Sequence, residues 1–294
     1  MNRKKTTIVF AVILFLFALG LTLYPVISNH VNQKYASEIH TAYQEAMAQT
    51  DDAALLEARQ QACFYNESIV PGTAEADAYS QESLIAASEN YEDLLNITGE
   101  GTMGYVRIPR IQVNLPIYHG TGNDSLDRGV GHLLGSSLPV GGENTHTILT
   151  GHCGMASQKM FTDLELLTVG DVFYLNVLDE TLAYQVDEIN TVLPHDTSLL
   201  GIVDGKDLCT LVTCTPYGVN SHRLLVCGSR IPYEEAEEIE ESSEEAPLTE
   251  STWENQYIKG ILYGLLIVLI IIIIAAIISA LRRHPTEGGH FEKE

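Results

Sequence analysis

Two uninterrupted apolar stretches bound what this chain can fold into. Residues 7–28 (TIVFAVILFLFALGLTLYPVIS) carry no charge, and residues 258–281, with YGLLIVLIIIIIAAIISA at their centre, carry only Lys259. About 20 apolar residues in a helix cross the hydrocarbon core of a bilayer. Both stretches are therefore expected to be transmembrane helices. The first is longer than the apolar core of a signal peptide and shows no A-x-A cleavage site, so an uncleaved anchor is expected. Arg3, Lys4 and Lys5 precede the first span, and Arg282 and Arg283 follow the second. The bias of basic residues toward the cytoplasm then puts both termini, 1–6 and 282–294, inside and the intervening segment outside.

That outer segment holds nearly all of the acidic excess of a chain whose formal net charge is −23. Nucleic-acid binding needs the opposite sign and is not expected. Its first part, 29–98, reads as helical. Residues 30–62 lack Gly and Pro, and Val31, Tyr35, Ile39, Tyr43 and Met47 recur as an apolar stripe that would pack on a main domain. Residues 64–83 (FYNESIVPGTAEADAYSQES) break the pattern and read as a long exposed loop, with a short helix expected over 84–96. From 99 to 232 the character changes. MGYVRIPRIQVNLPIYHG, HTILTGH, DVFYLNV, LAYQVDEINTVL, KDLCTLVTC and RLLVCGSRI are rich in β-branched and aromatic residues and are punctuated by Gly, Pro, Asn and Asp. This is the pattern of a β-sandwich or barrel. KMFTDLELL (159–167) reads as a helical turn, and the acidic run within 233–257 reads as a solvated linker.

Chemistry is concentrated in TLVTCTPYGVNSHRLLV (210–226). Cys214 ends one apolar run and Arg223 opens the next. If the two runs pair as antiparallel strands, both residues lie at the same end of the sheet. The arginine stays protonated and can stabilise negative charge beside the sulfur, but it cannot act as a base. A cysteine nucleophile also needs a proton acceptor, most often His. Of ten histidines, His152 in HTILTGHCG is the best placed, at a strand-to-loop transition. Spacing alone leaves His146, His119, His132, His195 and His222 as alternatives. Cys209 alternates to the opposite face from Cys214, Cys227 sits within an apolar run, and Cys63 ends a helix. The cysteine spacings match no standard zinc pattern.

The segments TLVTC with Arg nine residues after the Cys, the upstream TGH, GYVRIPRIQVNLPIYHGT, GVGHLLGSSLPVGG and VLPHDTSLL resemble the sortases, and among them the class C, pilin-polymerising members. The resemblance implies a closed, eight-stranded β-barrel. It implies Cys214 as nucleophile, His152 as general acid and base, and Arg223 as the cation that orients substrate or holds the oxyanion. The implied reaction cleaves an LPxTG-like sorting signal between Thr and Gly and joins the acyl group to a lysine amine of another pilin. This scheme requires neither metal nor organic cofactor. The implied partners are pilin or surface-protein substrates and the amine acceptor. Class C members also resemble this chain in a loop before the barrel, anchored by Asp-Pro-aromatic. Here the loop carries Asp77-Ala78-Tyr79, so Asp77 would pair with Arg223 and Tyr79 would cover Cys214, without the fixed φ of a proline. Cys153 beside His152 departs from the family pattern, and an oxidative link to Cys214 is one expectation. Rival readings are a cell-wall-anchoring sortase, a thiol hydrolase using the same residues, and a non-enzymatic surface module.

Overall fold

The computed structural model describes residues 3–69, 90–244 and 251–283. The chain divides into two compact units, Met1–Trp253 and Glu254–Glu294.

The first unit is built on eight strands: β1 (Thr102–Ile108), β2 (Val113–His119), β3 (Val130–His132), β4 (Thr145–Thr150), β5 (Val172–Val177), β6 (Glu180–Val192), β7 (Asp207–Thr215) and β8 (His222–Ile231). They close into a barrel in the order β1-β2-β3-β4-β7-β8-β6-β5. The β2–β3 and β4–β7 pairs are parallel and the other neighbours antiparallel. Closure leaves no free sheet edge in the wall. Alternate residues point inward, so Met103, Tyr105, Ile117, Leu149, Phe173, Leu175, Tyr184, Cys209, Leu211 and Val226 fill one continuous core. Burying such side chains stabilises by about 1.5–3 kcal/mol each.

Two helices precede the barrel, α1 (Arg3–Gln49) and α2 (Asp52–Ser68). The expected single helix over 30–62 is thus interrupted around Thr50. Its stripe is also only half right, since Tyr43 and Met47 are buried while Val31 and Tyr35 are exposed. A strict four-residue spacing drifts around the helix by about 40° per step, because one turn takes 3.6 residues. The face that meets the barrel runs through Ala36, Ile39, Tyr43 and Met47. Tyr43 fixes it, donating to the Met103 carbonyl (3.0 Å) and accepting from the Leu178 amide (2.8 Å).

Helix α2 continues through 64–68, where a loop was expected. Asn66 explains the extension. Its buried amide group pairs with the Leu138 backbone in both directions, at 3.2 and 2.7 Å, and ties the last helical turn to the barrel. The rest of the expected loop, with Asp77 and Tyr79, lies outside the described residues, as does most of the helix expected over 84–96. The turn expected in 159–167 is a 3-10 helix, Thr162–Leu166.

The acidic segment after the barrel is not simply a linker. Residues Tyr233–Glu244 form helix α4. Ala236 is fully buried beside Val172, Tyr174 and Ala183, with Ile239 packed against them. Glu240 accepts two hydrogen bonds from the Arg107 guanidinium (2.6 and 2.9 Å), which itself stacks on Tyr174 at 4.2 Å. A small apolar pair and one bidentate ion pair suffice to dock a helix that composition alone reads as solvated. At the end of this unit the Trp253 indole donates to the Met155 carbonyl (3.1 Å).

Helix α5 (Thr252–Arg283) accounts for the described part of the second unit. Its side chains Leu262, Leu265, Leu266 and Ile270 are exposed, as are Phe15, Phe17, Leu21 and Leu23 in α1. Among the described residues, no helix is long and apolar enough to cross a membrane.

Candidate active site

Three neighbouring strands bring one residue each to the same end of the barrel wall. Cys214 on β7 and Arg223 on β8 are direct antiparallel partners. On the other side, β4 runs parallel to β7 with Thr150 opposite Val212. The pairing continues past the end of β4. The Gly151 amide donates to the Val212 carbonyl (3.0 Å), and the Thr213 hydroxyl donates to the Gly151 carbonyl (2.7 Å). Cys214 and Arg223 thus face each other across neighbouring strands about 4.8 Å apart, and His152 follows just past the end of β4, the strand on the other side of β7.

Cys214 lies on the outer face of the wall. Cys209 and Leu211 point into the core, so alternation puts Cys214 on the opposite face with Val212. That face continues as an apolar strip of Val212, Leu225, Ile148 and Leu133, capped by Leu200 from the β6–β7 connection. A half-buried thiol thus sits at the end of a hydrophobic strip on the outside of the barrel.

Gly151 is required by packing. A Cβ there would lie 2.6 and 2.7 Å from ring atoms of Phe161. Phe161 is fully buried, and its amide donates to the His152 carbonyl (3.0 Å). The loop after His152 therefore folds back against the residue before it, which fixes the approach of the imidazole.

His152 is half-buried, and burial pushes its pKa down, while the carboxylate of Asp127 pulls it back up. The Nε2 to Oδ1 distance is 3.6 Å. Arg223 donates through Nη1 to the carbonyls of His222 (3.3 Å) and Asn220 (3.4 Å), long contacts that tether the guanidinium to the turn between β7 and β8. Cys153 is a different kind of thiol. Burial, with Glu165, Cys214 and Asp163 nearby, pushes its pKa up to about 12. It stays neutral at physiological pH, and neutral thiols are poor nucleophiles. An oxidative 153–214 link would have to start from Cys214. No disulfide joins any two cysteines among the described residues.

Three of the competing histidines, His119, His132 and His146, are structural, whereas His195 is exposed and His222 contacts the adjoining Ser221 hydroxyl (2.9 Å). His119 bonds the carbonyls of Leu94 (2.8 Å) and Gly101 (3.2 Å). His132 sits between the Tyr91 hydroxyl (2.8 Å) and the Ser137 carbonyl (2.9 Å), and His146 between the Gly201 carbonyl and the Thr210 hydroxyl, both at 2.7 Å. His119 and His132 end strands β2 and β3. Cys227 is half-buried, less enclosed than its apolar run suggests. Among the described residues no group of three or more His, Cys, Asp or Glu side chains is arranged to hold a metal ion.

The structure thus pairs Cys214 with Arg223 and puts His152 just past the end of the neighbouring β4. It also adds Asp127, which sequence reasoning missed: it lies in a connection between β2 and β3 with no spacing relation to His152.

A family model described as the sortase domain matches residues 106–231. The solved structure of sortase C from Streptococcus pneumoniae is 44% identical, with a TM-score of 0.61, and the match covers 67% of this chain and 97% of that one. The chain belongs to the sortase family. A second solved sortase, sortase C-1 from Actinomyces oris, is 46% identical with a TM-score of 0.57, covering 61% of this chain and 99% of that one. Among curated sequences, sortase A of Streptococcus agalactiae is 32% identical over 139 residues, which are 46% of this chain and 53% of that protein. Sortase D of Bacillus subtilis is 31% identical over 137 residues, 46% of this chain and 66% of that protein. This sortase therefore spans about half to two thirds of the length of the curated relatives it matches. The solved structures it resembles are class C sortases.

Proposed function

We propose that this sortase is a membrane-anchored cysteine transpeptidase of the pilin-polymerising type, with Cys214 as nucleophile, His152 as general acid and base, and Arg223 as the cation at the oxyanion. The observation that carries the reading is the direct pairing of Cys214 with Arg223 across β7 and β8, with His152 just past the end of the neighbouring β4. His152 takes the thiol proton of Cys214 as the sulfur attacks the Thr carbonyl of an LPxTG-like sorting signal, and Arg223 stabilises the negative charge that develops on oxygen. The C–N bond to Gly breaks as His152 protonates the departing amine, leaving a thioester on Cys214. A lysine ε-amine of a second pilin then attacks the thioester. His152 takes the proton that this amine sheds, the C–S bond breaks, and an isopeptide bond remains. The apolar strip of Val212, Leu225 and Ile148 beside Cys214 suits the aliphatic part of the signal.

The pilin assignment rests on likeness to class C members. The S. pneumoniae relative is described in terms of pilin substrate specificity. The apolar, charge-free stretch 7–28 and the stretch 258–281 are assigned as membrane anchors. The basic residues flanking them place both termini in the cytoplasm and the barrel outside. Asp77 and Tyr79 are assigned to a lid, with Asp77 on Arg223 and Tyr79 over Cys214. Asp77→Ala with Tyr79→Ala should speed alkylation of Cys214, and an unchanged rate removes the lid from the account.

The test of the chemistry is capture of the intermediate. Full-length protein in detergent, mixed with an LPxTG-type peptide and quenched in acid, should gain the mass of the peptide's acyl part. The adduct should map to Cys214, be released by hydroxylamine and be missing in Cys214→Ala. An adduct on another residue would overturn the assignment.

A further inference from the structure

Among the described residues, a carboxylate in ion-pair contact with the His152 ring comes from neither β7 nor β8. Asp127 follows the short helix α3 (Asn123–Leu126) in the connection between β2 and β3. Its Oδ1 lies 3.6 Å from His152 Nε2. Its backbone is held on both sides. The Asp127 amide donates to the Asn123 carbonyl (2.8 Å), and its own carbonyl accepts from the Gln158 side chain (2.7 Å). Gln158 belongs to the loop that returns from His152, so the connection and the loop are fastened together around the imidazole.

The neighbours of Asp127 are pinned too. Leu126 is buried, and a Cβ on Gly129 would collide with the Pro116 carbonyl on β2. Arg128, the nearest cation in sequence, places its guanidinium over the Tyr118 ring at 4.2 Å. Segment 126–129 is thus set by packing, and it presents one carboxylate to one histidine.

We propose that Asp127 is a positioning residue for His152: its carboxylate holds the imidazole ring and stabilises the positive charge that the ring carries during acyl transfer. This rests on the transpeptidase reading above. In that reading the imidazolium gives its proton to the departing glycine amine. The neutral imidazole later takes one from the attacking lysine amine. Both steps pass through a charged ring, and a carboxylate at this distance favours the charged form. Burial works against it, so the balance at His152 depends on Asp127. Among the described residues, other charged or titratable groups on the neighbouring elements are Cys214 on β7, Arg223 one strand further on β8, and the adjoining Cys153 with Glu165 and Asp163 near it. Among these groups Asp127 is the carboxylate in ion-pair contact with the ring.

The experiment uses the full chain in detergent with histidines labelled at the ring carbon. The His152 resonance is assigned by its loss in His152→Asn. Asp127→Asn keeps the shape and the backbone contacts but removes the charge, and it should move the His152 titration midpoint to lower pH. Asp127→Glu keeps the charge and should stay near wild type. A midpoint in Asp127→Asn equal to wild type overturns the proposal. The second readout is the pH profile of peptide-to-amine ligation. Its basic limb should shift to lower pH in Asp127→Asn, with a loss of roughly threefold to tenfold above the midpoint that Asp127→Glu restores. A uniform loss at every pH, with the limb in place, would assign Asp127 a merely structural role. If the wild type ligates nothing, the transpeptidase reading fails, and the resonance titration still decides the role of Asp127.

Discussion

Gly151→Ala tests how the fold holds His152. The added methyl carbon would lie 2.6, 2.7 and 3.1 Å from three ring atoms of Phe161, all far inside van der Waals contact. Neither partner can step aside cheaply. Gly151 is held by its amide on Val212 and by the Thr213 hydroxyl on its carbonyl. Phe161 is fully buried and bonded through its amide to His152. Overpacking of this kind costs about 1–3 kcal/mol, which in a domain of this size lowers Tm by roughly 2–12 °C. Relief of the clash would push the 152–161 loop outward, and a shift of about 1 Å at a catalytic group can cost about a hundredfold in rate. A double-mutant cycle isolates the cause. Phe161→Ala alone opens a cavity at a cost of about 3–5 kcal/mol. In that background the Gly151→Ala methyl has room and should cost close to nothing. Denaturant unfolding of the four proteins in detergent gives the cycle. An equal cost of Gly151→Ala in both backgrounds, or no cost in wild type, would refute the argument.

Tyr43→Phe should lower unfolding free energy by about 1–3 kcal/mol in denaturant melts, because it strands the buried Leu178 amide and Met103 carbonyl that the hydroxyl now pairs. A neutral result would mean that α1 is not anchored there. Acid should weaken the fold through His132, whose pKa is pushed by burial from 6.5 down to about 4. Above pH 6.5 its neutral form contributes fully. As pH falls from 6.5 toward 4 the unfolded chain binds a proton that the folded chain refuses, and stability on the order of 3 kcal/mol is lost. His119 and His146, also lowered by burial, add to the same slope. His132→Gln should flatten that pH dependence, and an unchanged slope would contradict it.

The strand pattern was legible because β-branched runs between Gly and Pro punctuation mark a sandwich or barrel wall, and the antiparallel pairing of β7 with β8 was open to view as a conditional reading of two apolar runs around one turn. Strand β3 was not legible, since Val130–His132 is too short to show alternation, and the family resemblance implied only the number of strands. Helix α4 was hidden because its acidic composition masks two contacts, the Ala236 pocket and the Arg107–Glu240 pair, that depend on residues far away in sequence. At the site, Cys214 and Arg223 follow from local pairing. His152 depends on a parallel pairing of β4 with β7 that joins residues some 60 positions apart, so spacing left it among several candidates and the resemblance singled it out. Asp127 has neither a local pattern nor a family motif to announce it, and only the fold brings it to the ring.

The central claim is that Cys214 passes an acyl group from a sorting signal to an amine. The most direct measurement is mass spectrometry of full-length protein incubated with an LPxTG-type peptide and a graded series of a lysine-bearing acceptor peptide, with Cys214→Ala alongside. The account predicts a ligated product, joined through Thr to the lysine ε-amine, that rises with acceptor concentration while free acid falls, and no product in the mutant. Cleavage whose rate and product ignore the acceptor, or ligation that survives Cys214→Ala, would contradict it.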